Sequence, residues 1–289
     1  MLVVRSRLNR YAFAVGLLVA AGLAYWTCAA GEDGKPDVIY VPTPETVVDR
    51  MLELAKPKKG EVLYDLGCGD GRIVVTAAKK YGVKGTGVDI DPERIKESNE
   101  NARKAGVTDK VKFVKANLFE MDFHDADVVT LYLLPALNVK LRPKLLDTLK
   151  PGSRIISHAF SMEDWKPDEE VTVEPGQETV YFWIIPAKVQ GTWKAADGGT
   201  LALKQEFQMV TGTADLGGKK GELKDSKLKG AEFTFTLDGA KYTAKVDEDT
   251  MKGKAEGGKD FTAKLEGGKP KKSAEKSGEK SSDEKEPAK

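Results

Sequence analysis

The chain has 289 residues, of which 40% are hydrophobic and 31% charged, and its formal net charge is +1 at pH 7. This length and apolar content suffice for two modest packed domains. The balanced charge gives no electrostatic reason to expect a nucleic-acid partner, so none is predicted. With only two cysteines and two histidines, the sequence predicts neither a disulfide framework nor a metal site.

The N-terminal thirty residues differ from the rest of the chain. Three arginines precede an apolar run at residues 11–26, and small residues follow at 28–31. This order is typical of a secretory signal peptide. The run is short for the roughly 20 residues of a membrane-spanning helix, but an uncleaved anchor is a coherent alternative. We therefore expect residues 1–30 to be a signal peptide or a membrane anchor, and the protein to be exported or membrane-anchored rather than cytoplasmic.

Beyond a polar linker at 31–39, the chain alternates strand and helix patterns. A helix pattern at 47–54 comes first, with Thr43 or Thr46 as its candidate cap. Strands are predicted at 62–66, 85–90, 111–114, 127–134 and 153–158. Helices are predicted at 72–81, 92–105 and 136–150, and Pro143 is expected to interrupt the last of them. Strands that are apolar on both faces and alternate with helices predict a Rossmann-like, doubly wound and mostly parallel α/β sheet.

The pattern changes after residue 165. Two strand patterns, 171–173 and 179–185, flank a Pro-Gly turn and predict an antiparallel hairpin at the edge of the sheet. Short stretches with a period of two follow, separated by glycines, and predict a small all-β meander or half-barrel. The predicted domains are therefore 40–188 and 189–268. The tail 269–289 has no large apolar residue and is predicted to be disordered.

The stretch 61-EVLYDLGCGDGRIVVTAAKK-80 has the pattern of a strand, a tight turn and a helix. Its turn holds three glycines, Gly67, Gly69 and Gly71. Such turns let the backbone approach a ligand closely and direct helix N–H groups at it. Arg72 stands where the dinucleotide fingerprint has its third glycine, and no Lys-Ser/Thr pair follows as in a P-loop. Asp65 and Asp70 frame the turn, which disfavours a pyrophosphate and favours a cationic ligand.

Asp89 provides a second cofactor signal. It ends the second predicted strand in 87-GVDID-91, where a carboxylate can accept both hydroxyls of a ribose. S-Adenosylmethionine carries a sulfonium and an ammonium group and has no phosphate, so it fits both signals. The sequence predicts this cofactor; a nicotinamide or flavin cofactor, or a turn without a ligand, is the alternative.

From about residue 40 to residue 188 the sequence resembles the class I S-adenosylmethionine-dependent methyltransferases. Within them it is similar to the mitochondrial-type protein-lysine methyltransferases of the ATP synthase c-subunit and the adenine nucleotide carrier, and to their bacterial relatives. The matching pieces are 40-YVPTP-44, 64-YDLGCGDGRIV-74, 86-TGVDIDP-92 and 129-VTLYLLP-135. The resemblance implies in-line methylation of a protein lysine or another amine, with membrane-associated acceptors included.

The resemblance also implies a set of cofactor contacts. These are Thr43, Asp65, Gly67, Gly69, Asp89, Ile90 and Asn117. The methionine part of the cofactor would meet the glycine turn, the ribose would meet Asp89, and the adenine would pack on Ile90. Asn117 replaces the family's usual Asp, so it would read the adenine amino group without a charge. Thr43 lies in a loop that caps the cofactor, and a simple helix cap is its alternative role.

The candidate catalytic residues follow the fourth predicted strand. Many amine methyltransferases have an Asn/Asp-Pro-Pro-aromatic motif there, and this sequence has no Asn or Asp at that place. Tyr132 and Pro135 are the nearest substitutes, through the phenol hydroxyl and backbone carbonyls, although Tyr132 also fits a core aromatic. His158 is a candidate base with an ordinary pKa near 6.5, or a hydrogen-bonded structural histidine.

Two other functions stay open from the sequence. The apolar character of residues 132–135 allows a small-molecule N- or O-methyltransferase. The missing polar residue of the motif allows a cofactor-binding module without catalysis.

Overall fold

The computed structural model describes residues 40–268. The predicted leader, the polar linker and the charged tail lie outside the described residues. Within the described part of the chain, no helix is long and apolar enough to cross a membrane.

The first half of the described chain forms a seven-stranded sheet. Its strands are β1 Val62–Leu66, β2 Lys84–Asp89, β3 Val111–Lys115, β4 Val128–Leu131, β5 Arg154–His158, β6 Glu169–Val173 and β7 Glu178–Ile184. The strand order is β3-β2-β1-β4-β5-β7-β6. The first five strands pair in parallel, whereas β7 is antiparallel to both β5 and β6. The predicted Rossmann-like sheet with an antiparallel edge hairpin is confirmed.

Four helices cover the two faces of this sheet. They are α1 Glu45–Ala55, α2 Arg72–Tyr81, α3 Pro92–Ala105 and α4 Pro135–Thr148. Helices α1 and α2 bury Met51 and Val74 in one cluster with Leu63 of β1. Helix α4 buries Leu141 on the other face, in a cluster with Leu131 of β4. The sheet is therefore enclosed on both sides, and its carboxyl end is the edge left for a ligand.

The expected interruption at Pro143 is wrong, because α4 runs through this residue. A proline inside a helix removes one backbone hydrogen bond and disfavours the preceding turn, at a cost of roughly 3 kcal/mol. Leu141 and Leu145, on either side of it, are fully buried. Burying two leucines stabilises the helix by an amount comparable with that cost, so tertiary packing outweighs the local signal.

The second half forms a nine-stranded antiparallel sheet. Its strands are β8 Gly191–Ala195, β9 Thr200–Glu206, β10 Met209–Leu216, β11 Lys219–Glu222, β12 Lys224–Lys229, β13 Glu232–Leu237, β14 Ala240–Asp247, β15 Thr250–Ala255 and β16 Asp260–Leu265. The sheet curls around a core that includes Trp193, Phe233 and Phe235. Strands β11 and β12 stand at the two ends of the strand order and are joined by Leu223 alone, whose amide donates to the Gly212 carbonyl of β10 at 2.9 Å. The predicted meander or half-barrel is confirmed as a nearly closed barrel.

The barrel packs against the first sheet through the turn between β9 and β10. The Phe207 ring stacks on Trp165 with 5.8 Å between ring centroids. The Trp165 indole N–H donates to the Gln208 side-chain oxygen at 2.9 Å. The Arg142 guanidinium of α4 lies 5.1 Å from the centroid of the Phe207 ring. Stacked rings and a satisfied indole make this a specific junction between the two domains.

Candidate active site

A cavity of about 560 Å³ opens at the carboxyl ends of β1, β2 and β4. The chain changes direction across the sheet between β1 and β4, which is where doubly wound sheets bind their ligands. Six of the predicted cofactor residues line it, namely Thr43, Asp65, Gly67, Asp89, Ile90 and Asn117, and so does Tyr132.

The glycine turn forms the floor between β1 and α2. Its three glycines adopt positive φ angles, 85° at Gly67, 52° at Gly69 and 77° at Gly71. The amides of Gly67 and Cys68 both donate to the Val88 carbonyl, which fixes the turn to β2. Gly69 does not line the cavity. It lies under Tyr40, and a Cβ at this position would be 2.2 Å from the tyrosine ring.

Asp65 is the buried charge of the site. It is 2% exposed at the end of β1, and the Thr130 hydroxyl donates to its Oδ1 at 2.7 Å. Burial raises the pKa of Asp65 to about 7; the Thr130 hydrogen bond opposes this, and the charges of Asp89 and Asp70 add to it. A buried carboxylate without a cationic side chain beside it is stabilised in its ionised form when a positively charged ligand binds next to it. The site therefore fits the ammonium or sulfonium end of S-adenosylmethionine.

Asp89 is held rigidly at the end of β2. Its Oδ2 accepts from the Gly69 amide at 2.9 Å, and its Oδ1 accepts from the Asp91 amide at 3.0 Å. Each carboxylate oxygen can accept a further hydrogen bond. The carboxylate is thus oriented by the backbone and still has the capacity to bind the two hydroxyls of a ribose.

Asn117 lines the cavity but is partly engaged already. Its side-chain oxygen accepts from the Phe119 amide at 3.0 Å, and its side-chain nitrogen donates to Glu120 at 3.1 Å. The oxygen retains one lone pair for an amino group. The hydrogen bond from the Phe119 amide fixes the orientation of this oxygen. Asn117 can therefore accept from an adenine amino group only in that orientation.

Asp65 and Asp70, which frame the turn, have different partners and therefore different roles. The sequence alone does not distinguish these roles. Arg72 donates to both oxygens of Asp70, from Nε at 2.9 Å and from Nη2 at 2.7 Å. Burial alone would raise the pKa of Asp70, but hydrogen bonds and charge from Arg72 hold it below its ordinary value. Asp70 is therefore neutralised internally, and Asp65 remains the carboxylate for a cationic ligand.

Arg72 also anchors the loop that covers the cavity. Its Nη1 donates to the Thr43 carbonyl at 2.7 Å. Tyr40, at the other end of this loop, stacks under the Arg94 guanidinium at 4.8 Å from the ring centroid. The sequence shows only that Arg72 lies two residues after Asp70, which allows the two side chains to pair. It does not predict the contact of Arg72 with Thr43.

We expect Arg72→Ala to lower the free energy of unfolding by about 1–3 kcal/mol, because it leaves a largely buried Asp70 unpaired and frees the Thr43 carbonyl. Arg50→Ala is the matched control: its pair with Glu53 on α1 is more exposed, so a change of at most about 0.5 kcal/mol is expected. Urea unfolding measures both. Equal losses in the two variants would contradict the anchoring role of Arg72.

The structure corrects the helix-cap alternative for Thr43. Pro44 occupies the N-cap position of α1, and no side chain caps that helix. The Thr43 hydroxyl instead lies 3.2 Å from Nδ1 of His158. Thr43 is 4% exposed and lines the cavity.

Of the two candidate catalytic residues, Tyr132 lines the cavity and Pro135 does not. Strand β4 ends at residue 131 rather than at the expected 134, so the following segment leaves the sheet and Tyr132 lines the cavity. The Tyr132 ring lies 4.0 Å from the His158 ring, centroid to centroid. Pro135 begins α4 and is not among the lining residues; Leu133 and Leu134 lie there instead.

His158 is buried and does not line the cavity. Its Nε2 lies 3.2 Å from the Glu178 carboxylate. Burial lowers the pKa of His158, and the hydrogen bond and charge of Glu178 oppose that shift. Both ring nitrogens of His158 have a side-chain partner, Thr43 at Nδ1 and Glu178 at Nε2. His158 is therefore a hydrogen-bonded histidine, as one of the two sequence interpretations predicts. Among residues 40–268, no group of three or more His, Cys, Asp or Glu side chains could hold a metal ion.

Comparison with known sequences gives matches over the first domain. The model of the ANTKMT methyltransferase domain matches residues 65–169. A protein-lysine N-methyltransferase of Saccharolobus islandicus is 52% identical over 153 residues, which are 52% of this chain and 95% of that protein. The mouse adenine nucleotide translocase lysine N-methyltransferase is 30% identical over 149 residues, which are 51% of this chain and 63% of that protein.

A solved structure matches the same domain. It is described as an RNA methyltransferase from Salinibacter ruber in complex with S-adenosyl-L-homocysteine. The two chains are 52% identical with a TM-score of 0.50, over 52% of this chain and 96% of the other. S-Adenosyl-L-homocysteine is the demethylated form of S-adenosylmethionine, so the cofactor predicted from the glycine turn is confirmed. The chain belongs to the family of S-adenosylmethionine-dependent methyltransferases with the ANTKMT methyltransferase domain, which includes the protein-lysine N-methyltransferases.

Proposed function

We propose that this methyltransferase transfers the methyl group to the side-chain amine of a protein lysine. The observation that carries the proposal is the cavity itself. It joins Asp65, which is buried without a cationic side chain beside it, to the segment 132–134. The side chains of that segment, Tyr132, Leu133 and Leu134, can surround an aliphatic amine. Support comes from the Saccharolobus relative, which is named for protein-lysine methylation and is matched over 95% of its length.

The residues of the chain would hold both reactants. Asp65 binds the positive end of the cofactor, and Asp89 binds its ribose. When bound, the cofactor supplies a methyl group that its sulfonium has already activated, so the enzyme mainly has to align a neutral amine behind it and exclude water. The Tyr132 hydroxyl and the backbone carbonyls of 132–134 are the acceptors for that amine. They take the place of the Asn or Asp that this segment lacks.

The test is transfer of tritium-labelled methyl groups from S-adenosylmethionine into a bacterial protein extract. We expect label on lysine side chains, located by mass spectrometry, and a loss of label in Asp89→Ala at low cofactor concentration. Asp109→Asn is the control for charge removal, because Asp109 is exposed in the turn before β3. Label that ribonuclease removes would instead identify RNA as the acceptor, and label in small metabolites would favour the small-molecule alternative. Cofactor binding without any transfer would favour the binding module.

We also propose that the protein is exported or membrane-anchored, on the basis of the basic and apolar pattern at residues 1–30. Fractionation of cells that make the full chain, followed by protease treatment of the membranes, tests this. Recovery of the whole protein in the cytosolic fraction would refute it. Recovery in the membrane fraction would direct the search for acceptors toward membrane proteins.

A further inference from the structure

Three side chains from distant parts of the sequence form a hydrogen-bonded chain beside the cavity. Thr43 precedes α1, His158 ends β5, and Glu178 begins β7. Thr43 Oγ1 lies 3.2 Å from His158 Nδ1, and His158 Nε2 lies 3.2 Å from Glu178 Oε2. The inner end of the chain lines the cavity, the histidine is 1% exposed, and the side chain of Glu178 is 38% exposed.

The chemistry of the groups sets the direction of these hydrogen bonds. An ionised carboxylate only accepts, so Nε2 of His158 must carry the proton that it shares with Glu178. In the neutral ring Nδ1 is then an acceptor, and the Thr43 hydroxyl donates to it. The remaining lone pairs of Thr43 Oγ1 are left for a donor in the cavity. The chain therefore presents an acceptor, not a donor, to whatever binds there.

Burial keeps the His158 ring neutral, and the Glu178 carboxylate beside Nε2 is placed to stabilise a proton that the ring accepts. Of the described residues, the titratable groups that face His158 are Glu178 on β7 and Tyr132 after β4. Burial lowers the pKa of the His158 ring, whereas Glu178 would stabilise the protonated ring. A neutral histidine beside a carboxylate is the arrangement of a general base.

We propose that Thr43, His158 and Glu178 form a relay that removes the proton of the methyl acceptor. This inference rests on the proposed function, because a lysine has an ordinary pKa near 10.4 and is almost entirely protonated at neutral pH. Its ammonium nitrogen has no lone pair with which to attack. The apolar side chains of Leu133 and Leu134 and a cationic cofactor both disfavour the ammonium form, which makes loss of this proton easier.

Two protons move together along the relay. The ammonium gives one proton to Thr43 Oγ1 while the hydroxyl proton of Thr43 moves to His158 Nδ1, and Glu178 stabilises the resulting imidazolium. The freed lone pair forms the new N–C bond as the S–C bond of the cofactor breaks. When the product leaves, the proton returns through Thr43 to water. Thr43 is then a catalytic residue, and His158 and Glu178 act through it.

The test compares rates of lysine labelling in the bacterial extract between pH 6.5 and 10, at saturating cofactor. Thr43→Val keeps the shape of the side chain and removes the hydroxyl, and Glu178→Gln removes the negative charge. At pH 7 we expect both to be about 100-fold slower than the unmodified protein. The ratio of the unmodified rate to the variant rate should fall with rising pH, by up to about tenfold per pH unit. The reason is that a larger fraction of the acceptor lysine loses its proton in water before it binds. Thr43→Ser should restore most of the rate.

Controls distinguish a relay from a change in charge or in cofactor binding. Glu169→Gln removes an exposed carboxylate from neighbouring β6 and should leave the rate unchanged. Calorimetry should give Glu178→Gln the unmodified affinity for the cofactor. A deficit that is constant across pH, a Thr43→Ser variant as slow as Thr43→Val, or a Thr43→Val variant altered only in cofactor affinity would overturn the relay. Absence of lysine label with the unmodified protein at every pH would instead refute the proposed function.

Discussion

Asp65→Asn should weaken binding of S-adenosylmethionine at least 100-fold and at the same time stabilise the cofactor-free protein. Asp65 is 2% exposed at the end of β1 and has a neutral hydroxyl, that of Thr130, as its hydrogen-bond donor. Removing the carboxylate from a cationic ligand leaves that ligand's charge desolvated and unpaired, which costs several kcal/mol. Without the ligand, the same carboxylate is a buried charge, and an amide of similar shape avoids its desolvation.

The sign of the stability effect follows from the pKa of Asp65. The folded pKa is about 7, whereas an unfolded Asp has a pKa of about 3.9. Because the folded value is the higher, the unfolded state releases its proton first, and the protein loses stability as the pH rises from about 4 to about 7. The loss is at most roughly 4 kcal/mol in total. The Asp65→Asn variant does not lose stability in this way. Its free energy of unfolding should therefore exceed that of the unmodified protein by about 1–4 kcal/mol at pH 8 and by little at pH 4.

Two measurements check this prediction. Urea unfolding at pH 4, 6 and 8 should show the stability difference growing with pH, with exposed Asp109→Asn as a control that shows no such growth. Calorimetry should show the cofactor affinity of the unmodified protein falling toward tenfold per unit below pH 7, since a cation binds the ionised form of Asp65. The affinity of the variant should depend far less on pH. A variant that binds the cofactor normally would remove Asp65 from the cofactor site.

The parts of the site that could be read from the sequence are those in which neighbouring residues act together. The glycine turn, Asp65 before it and Asp89 at the end of the next strand all follow from strand-turn-helix patterns. Asp89 ends β2, as the strand pattern predicts, and a parallel β2 must end beside β1. The described structure puts both carboxylates on one cavity, as the pattern required.

The parts that could not be predicted depend on residues that meet only after folding. Thr43 and His158 are 115 positions apart, and no local pattern connects them. The cap role considered for Thr43 failed because its hydroxyl bonds a buried ring nitrogen instead. Pro143 shows the same limit, since burial of its helix outweighs a local breaking signal. Strand β11, Lys219–Glu222, has no apolar residue, so its place in the barrel follows only from its pairing with β10.

Gly71 has a role in the structure that the sequence patterns do not predict. The family resemblance implies cofactor contacts at Gly67 and Gly69 and gives no role to Gly71. In the structure Gly71 is the N-cap residue of α2, with a φ of 77°. A Cβ there would lie 2.6 Å from the Phe113 ring and 2.8 Å from Cβ of Ser98. The third glycine is therefore required for packing rather than for binding.

Gly71→Ala should lower the free energy of unfolding by about 3 kcal/mol or more. The left-handed backbone costs an alanine about 1 kcal/mol, and the forced separation of Phe113 and Ser98 adds about 1–3 kcal/mol. Ser98 is fully buried on α3, so the overlap cannot be relieved by rotating an exposed side chain. Gly82→Ala separates the two effects, because Gly82 ends the same helix with a φ of 68° and has open space around its Cα. We expect a loss of about 1 kcal/mol there; equal losses in the two variants would mean that backbone conformation, and not contact with α3 and β3, accounts for Gly71.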